Sequence, residues 1–299
     1  MSTATLTGRE EAWRFAPFDV FAPLLERRGA ASVEITLSDG EHHGLVNVGD
    51  DVSWDIHVAN HASASIEISL QGAGEANVNV FARTGVGAAL KISILGDTDT
   101  SAVRRVCVTL MPGRDSTIHA NGVALNGRAF RQETHVQFDE PGAQVELRGL
   151  TFAAGEDYLE QRLRVVHNAP HCTSNVVYKS AAADTGHIVW VGDIVITREG
   201  TAADTYELNR NLVLSAGARV DSVPNLELET GEVIGAGHAS ATGRFDDEQL
   251  FYLQARGIPS DVARRMVVEG FFAELLGAMA LGEAGEKVLA NIHARLEAQ

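Results

Sequence analysis

A short β-forming pattern returns along most of this chain, and this repeat constrains the fold more than any other feature. Each unit has one strand-like run, a turn of small residues and a second strand-like run, as in residues 56–58, the turn NHASAS and residues 66–68. From the second unit onward the spacing is roughly 28–30 residues, which is in the range of repeat architectures. Because no helical apolar stripe interrupts these units, the pattern argues against a doubly wound α/β sheet.

Two all-β architectures are compatible with this pattern, a sandwich and a parallel β-helix. A sandwich favours two-residue hairpin turns such as Asn-Gly, which occurs at residues 121–122 and 126–127. Most connections are longer and rich in small residues, which suit the corners of a closely stacked coil. We therefore predict a parallel β-helix, with the sandwich as the alternative. The predicted division of the chain is an N-terminal arm (residues 1–30), a β-helix core (residues 31–245) and a C-terminal helical domain (residues 246–299).

The N-terminal arm carries an aromatic anchor and two prolines. Residues 10–15 predict a single helical turn, in which Trp13 is expected to anchor the arm on the core. Pro17 and Pro23 are expected to keep the following chain extended, since proline lacks the backbone N–H that a helix interior uses.

Three helices are predicted in the C-terminal domain. The first begins at the carboxylates of residues 246–248, which favour the positive end of a helix dipole, and ends at Gly257. Gly282 and Gly285 separate the second helix from the third, which spans residues 288–296. The predicted apolar face of the second helix consists of Val262, Met266, Val267, Phe271, Leu275 and Met279.

Composition limits the kinds of partner and compartment. The net charge is −16, whereas a surface for nucleic acid or anionic membrane needs a cationic footprint. The two cysteines, Cys107 and Cys172, are far apart and match no disulfide framework or CxxC metal site. Unpaired thiols suit a reducing cytosol, and the sequence has no apolar signal core or long apolar run. We expect a cytoplasmic protein without nucleic-acid or membrane partners.

Histidines are the residues that could carry metal chemistry, because the common nucleotide, hydrolase and zinc-protease motifs are absent from the sequence. His167, His171 and Cys172 lie close together, but they fall short of a closed zinc site, so a surface corner is the preferred interpretation. His238 lies among small residues just before the acidic helix start. A neutral imidazole there is a candidate metal ligand, with a structural role as the alternative.

Four segments in the second half of the chain carry a resemblance to a known family. They read RVVH (164–167), ARVDSVPNLEL (218–228), GHASATGR (237–244) and DEQLFYLQARGI (247–258). In these segments the chain resembles the SufB/SufD family of iron–sulfur cluster assembly proteins. The match over residues 164–275 is long and ungapped, whereas the N-terminal part matches loosely.

The resemblance implies a fold and a set of partners. SufB and SufD form a heterodimer of right-handed parallel β-helices, and the C-terminal helical region of each docks a subunit of the SufC ATPase. Closure of SufC on ATP reshapes the SufB–SufD interface, where the nascent cluster forms with sulfur that reaches SufB from a cysteine desulfurase. For this chain the resemblance implies a right-handed parallel β-helix with a C-terminal α-helical subdomain. It also implies a SufB-like paralogue and a SufC-like ATPase as partners, and a transient iron–sulfur cluster at the subunit interface, with none tightly bound in the isolated chain.

Within the family the chain resembles SufD more than SufB. SufB has an essential cysteine where this chain has Ala218, and a glutamate where this chain has Ala239. His238 matches the interface histidine of SufD, so the resemblance implies that His238 is a cluster and metal ligand at the SufB interface. The residues implied for docking the ATPase are Asp247, Glu248, Gln249, Phe251, Tyr252, Arg256, Gly257 and Phe271.

These implications describe a non-catalytic scaffold subunit that couples closure of SufC to exposure of His238. One alternative is a scaffold that self-associates, for example as a homodimer, and acts without SufB. The other is a β-helix enzyme that acts on polysaccharides, although the sequence shows neither an export signal nor a clear ladder of carboxylates.

Overall fold

Two parallel sheets, wound from one succession of strands, make up the body of the protein. The computed structural model describes residues 8–245 and 247–297, without the side chains of residues 247–250 and 261. The described strands are β1 (Ser32–Leu37), β2 (His42–Asn47), β3 (Val52–Val58), β4 (Ser63–Leu70), β5 (Glu75–Thr84), β6 (Ala89–Asp97), β7 (Val103–Met111), β8 (Thr117–Asn126), β9 (Ala129–Phe138), β10 (Gln144–Ala153), β11 (Tyr158–His167), β12 (Thr173–Ala182), β13 (His187–Ile196), β14 (Asp204–Val213), β15 (Arg219–Leu228) and β16 (Gly235–Arg244).

Odd-numbered and even-numbered strands occupy different sheets, so each coil of the chain contributes one strand to each sheet. Sheet A has the order β1-β3-β5-β7-β9-β11-β13-β15, and sheet B has the order β16-β14-β12-β10-β8-β6-β4-β2. Every described strand pair is parallel. Consecutive strands therefore do not pair as hairpins, which confirms the parallel β-helix and rules out the sandwich.

Apolar side chains fill most of the inside of the coil, which we call the lumen. Inward and outward positions alternate along the strands, as the burial pattern of β4 shows. Ile56, Ile66, Val78 and Ile92 are typical inward residues, and none is more than 1% exposed. Burying such a side chain contributes about 1.5–3 kcal/mol, so the stacked apolar positions stabilise the coil along its length.

The N-terminal arm covers the outer face of sheet A with a 3₁₀ turn (Glu11–Trp13) and a helix, α1 (Phe18–Leu25). Trp13 is only 5% exposed, which confirms its predicted role as an anchor. The prediction that the chain stays extended is wrong, because Pro17 directly precedes α1 and Pro23 lies inside it. Burial of one face of α1 against sheet A outweighs the backbone hydrogen bond that the proline removes.

A buried ion network lies beneath the arm. Arg131 is fully buried and donates to Glu160 Oε2 at 2.8 Å and to Glu133 Oε1 at 2.7 Å. Its guanidinium also donates to the backbone oxygen of Ala12 at 2.8 Å and lies 4.2 Å from the ring centre of Trp13. The arm is therefore held by charge-assisted hydrogen bonding and ring contact as well as by apolar burial.

Three helices follow the last strand: α2 (Asp247–Ala255), α3 (Ser260–Met279) and α4 (Glu283–Glu297). Gly257 has a φ of +84° just after α2, in agreement with the predicted end of the first helix. The predicted break at Gly285 is wrong, because α3 ends at a left-handed Ala280 and Gly285 lies inside α4. Packing of α4 on the β-helix offsets the low helix propensity of glycine. None of the described helices has the length and apolar character needed to cross a membrane.

Both α3 and α4 pack on the outer face of sheet B. The buried residues of α3 are Ala263, Val268, Phe272, Leu275 and Met279. The last two agree with the predicted apolar face. Val262, Met266 and Val267 lie off the buried stripe, and Met266 is 47% exposed, whereas Phe271 is partly buried against it. The sequence of α3 has two overlapping apolar faces, and only one of them is buried against sheet B.

Candidate functional site

The last coil of the β-helix combines open strand edges with exposed apolar side chains. β15 and β16 stand at the ends of the two described strand orders. Three large apolar side chains near this end are exposed, namely Tyr206 (49%), Leu228 (48%) and Ile234 (72%). Open edges and exposed apolar side chains are typical of a surface that receives a partner. We call this surface the terminal face.

His238 lies in β16, and its side chain is exposed. Its register partner in β14 is Glu207. In-register partners of a parallel pair point to the same side of the sheet, because side chains alternate along each strand. Since Glu207 is buried inside the coil, the His238 side chain lies on the same inner side of sheet B, one strand closer to the terminal face.

Glu207 is a fully buried carboxylate that the sequence analysis did not single out. Neither carboxylate oxygen has a hydrogen-bond partner among the described residues. A Cβ atom on Gly192 would lie 1.4 Å from Glu207 Oε1, so the carboxylate occupies space that this glycine leaves free in sheet A. Burial, and secondly the negative charge of Asp193, raise the pKa of Glu207 from its ordinary value of 4.5 to about 8.

Polar side chains close the lumen at this end. Ser222 Oγ donates to Asn209 Oδ1 at 2.8 Å and lies 2.8 Å from Ser240 Oγ. Ser222 belongs to sheet A, whereas the other two belong to sheet B, so these hydrogen bonds join the sheets across the lumen. We call these three residues, together with Glu207 and His238, the terminal polar cluster. Its oxygen atoms and imidazole nitrogen are atoms that a divalent cation such as Fe²⁺ accepts as ligands.

Two alanines stand where the family resemblance places ligands in SufB. Ala218 is half-buried directly before β15, and its methyl group packs against the apolar core. Ala239 follows His238 in β16 and is also half-buried. Neither side chain carries a metal-ligand atom.

His167 and Cys172 lie in the core, which contradicts the predicted surface corner. His167 stacks on Phe138 with ring centres 4.6 Å apart, and its Nε2 lies 2.9 Å from Ser174 Oγ. Burial lowers the pKa of His167 to about 4. His171, by contrast, is exposed at a turn with a φ of +61°. Across the part of the chain that the structure describes, no group of three or more His, Cys, Asp or Glu residues could hold a metal ion.

An apolar patch is exposed on α2 and the start of α3. Phe251, Tyr252 and Met266 are 71%, 56% and 47% exposed. The guanidinium of Arg256 lies 4.4 Å from the ring centre of Tyr252. We call these four residues the α2 patch. Aromatic and arginine side chains of this kind are enriched at protein interfaces.

The residues predicted to dock the ATPase divide into three groups. Those exposed in or just after α2 are Phe251, Tyr252, Arg256 and Gly257. Phe271 is half-buried, and its backbone oxygen accepts a hydrogen bond from Lys179 Nζ at 2.9 Å, so it helps to attach α3 to sheet B. The side chains of Asp247, Glu248 and Gln249 lie outside the described part, as does Asp246 at the predicted start of the first helix.

Polar side chains fasten α3 and α4 to sheet B. Lys91 and Asn121 donate to backbone oxygens at the end of α3, and Lys179 donates to one in its middle. Arg295 of α4 donates to the backbone oxygen of Ala154 at 3.0 Å. These contacts reach β6, β8, β12 and the end of β10, so the two helices are joined to several neighbouring coils at once.

Comparison with known proteins is consistent with the resemblance. The family model described as SUF system FeS cluster assembly, SufBD core domain, matches residues 42–271. An iron–sulfur cluster assembly SufBD family protein of Mycobacterium tuberculosis is 43% identical over 97% of this chain and 75% of its own length. A protein of the same description from Mycobacterium leprae is 43% identical over 81% of this chain and 63% of its own length. The iron–sulfur cluster assembly protein SufD of Escherichia coli is 30% identical over 62% of this chain and 44% of its own length.

Proposed function

This chain belongs to the SufBD family of iron–sulfur cluster assembly proteins, and on that premise we propose that it is a SufD-like scaffold subunit. It pairs with a SufB-like paralogue through the terminal face and docks a SufC-like ATPase through the α2 patch. The chain itself is not a catalyst in this proposal, because the ATPase supplies the energy and a cysteine desulfurase supplies sulfur through the SufB-like partner. The complex works in the cytoplasm.

The observation that carries this proposal is the position of His238 on the terminal face. An exposed imidazole beside open strand edges can bind a metal that a second chain also binds. Iron–sulfur clusters are mostly held by thiolates, and Ala218 supplies none, so the partner contributes the sulfur ligands. The cluster is therefore cargo that forms transiently between the subunits, with His238 as the ligand from this chain.

Two substitutions separate the two proposed interfaces. Ile234→Asp places a charge on the terminal face and is expected to weaken binding of the SufB-like partner at least about tenfold, while ATPase binding is unchanged. Phe251→Ser in the α2 patch is expected to weaken binding of the ATPase and to leave binding of the SufB-like partner unchanged. Val46→Ser is the matched control, because Val46 is 63% exposed in β2, at the opposite end of the coil. Pairwise titrations of the purified proteins measure both affinities, and equal loss of both partners in either variant contradicts the assignment of surfaces.

A self-associating scaffold is the second candidate function, and it is favoured by the exposed Leu228 at the end of β15 and Ile234 directly before β16, next to the open strand edges. Two identical subunits would bring two copies of His238 but no cysteine at position 218, which is a poor ligand set for a cluster. Sedimentation of the chain alone and its iron content after anaerobic reconstitution distinguish the candidates. A dimer that retains a cluster supports the second candidate, and a chain without iron supports the first.

A further inference from the structure

Glu207 is unpaired in a protein that pairs another fully buried glutamate completely. Glu160 accepts hydrogen bonds from Arg131 at 2.8 Å, Arg162 at 3.2 Å and Tyr158 at 2.8 Å. Both residues are 0% exposed, yet neither oxygen of Glu207 has a partner among the described residues. Buried polar groups are nearly always paired because an unpaired one costs several kcal/mol, so an orphaned carboxylate calls for a ligand.

The position of Glu207 brings its carboxylate close to the terminal face. Only β16 separates β14 from this end of sheet B, and the residue of β16 in register with Glu207 is His238. Gly192 leaves room for the carboxylate on the opposite sheet, where any larger residue would collide with it. The chain therefore holds a buried carboxylate directly behind an exposed imidazole.

We propose that Glu207 and His238 together bind a divalent metal ion at the open end of the lumen, and that this ion is ferrous iron on its way into a cluster. The inference rests on the proposed role of His238 and adds an oxygen ligand to it. One imidazole nitrogen and one carboxylate oxygen form a ligand pair that suits Fe²⁺ and its analogue Co²⁺. A cation beside Glu207 would supply the positive charge that Arg131 supplies to Glu160.

Two ligands leave most of the coordination sphere open, which suits a site that receives and releases iron. Water or groups of the SufB-like partner fill the remaining positions. The competing explanation is that a buried water joins Glu207 to two other unpaired groups, Trp190 Nε1 and Asn209 Nδ2. In that case Glu207 is structural and has no part in metal binding.

Anaerobic titration with Co²⁺, followed by its visible absorption, tests the metal pair. The chain is titrated alone and in complex with the SufB-like partner, as wild type and as Glu207→Gln, His238→Ala and the double variant. Glu227→Gln, at an exposed position in β15, is the matched control. Each single variant is expected to lower Co²⁺ affinity at least about tenfold, the double variant to lose little more than either one, and the control to bind normally. Thermal unfolding confirms that Glu207→Gln, which keeps the shape of the side chain, remains folded.

The outcomes separate this inference from the proposed function. Wild-type affinity in Glu207→Gln with loss in His238→Ala overturns the metal pair but leaves the role of His238 intact. Absence of Co²⁺ binding both alone and in the complex also overturns the pair. Loss of Co²⁺ in both variants with normal cluster yield in the reconstituted complex supports the metal pair and contradicts the proposed role of His238 in assembly.

Discussion

Replacing Glu207 with glutamine is expected to stabilise the metal-free protein, and increasingly so at alkaline pH. Burial, and secondly Asp193, raise the pKa of Glu207 in the folded chain to about 8, against an ordinary value of 4.5. The folded state therefore holds this proton more tightly than the unfolded state. Binding of this proton therefore favours the folded state. The stabilisation is fully present below pH 4.5, where Glu207 is protonated in both states, and it is lost as the pH rises through 8.

The size of the effect follows from the two pKa values. Each tenfold difference in proton affinity corresponds to about 1.4 kcal/mol. Relative to a neutral isostere, Glu207 then destabilises the fold by about 2 kcal/mol at pH 6, about 3 kcal/mol at pH 7 and about 5 kcal/mol at pH 9. Glutamine keeps the shape of the side chain and cannot ionise, so Glu207→Gln is expected to remove this pH-dependent destabilisation of the fold. The gain is a large fraction of the roughly 5–15 kcal/mol that separates folded from unfolded states.

Urea unfolding at pH 6, 7 and 9, followed by circular dichroism in the presence of a chelator, measures the difference. Glu227→Gln in the exposed part of β15 is the control, and its unfolding free energy is expected to follow that of the wild type within about 0.5 kcal/mol at each pH. An advantage of Glu207→Gln that stays constant between pH 6 and pH 9 refutes the reasoning. That result would mean that the carboxylate is ionised and compensated throughout this range.

Two further substitutions test how the buried polar residues are accommodated. Gly192→Ala is expected to destabilise the fold by about 1–3 kcal/mol, since its Cβ would lie 1.4 Å from Glu207 Oε1, whereas Gly44→Ala in β2 meets nothing within 4 Å and is expected to be neutral. Arg131→Met removes the fully buried cation from Glu133 and Glu160, which keep only Arg105 and Arg162 as partners, and is expected to cost about 3–5 kcal/mol. Arg14→Met, which breaks an exposed ion pair, is expected to cost less than about 1 kcal/mol. Urea unfolding measures all four variants, and equal effects within either pair contradict the structural account.

The β-helix could be predicted because its physical cause is local and repeated. Each coil needs inward apolar residues at alternate positions and small residues at its corners, and both features are visible in a single unit such as residues 56–68. Trp13 could be predicted as an anchor because a large aromatic side chain buries much apolar area when it packs on a core. His238 was found through its small neighbours and the family resemblance, and the structure places it on an exposed strand edge.

What escaped prediction depends on contacts between distant parts of the chain. Helix α1 forms despite Pro23 because Phe21 and Leu24 bury themselves on sheet A, which the sequence of the arm cannot reveal. A glutamate in an alternating strand resembles a surface residue. Only the register between coils shows that Glu207 lies inside the lumen, over Gly192 and next to an exposed imidazole.

The hydrogen bonds from Lys91, Asn121, Lys179 and Arg295 have a mechanical consequence. Because these hydrogen bonds join α3 and α4 to several neighbouring coils, a force applied at either helix acts on those coils together and not on a single one. A motor protein bound to α2 would therefore rotate the β-helix as a rigid body. The displacement would be largest at the end of the β-helix farthest from α2, and its direction would depend on the connection between α2 and α3.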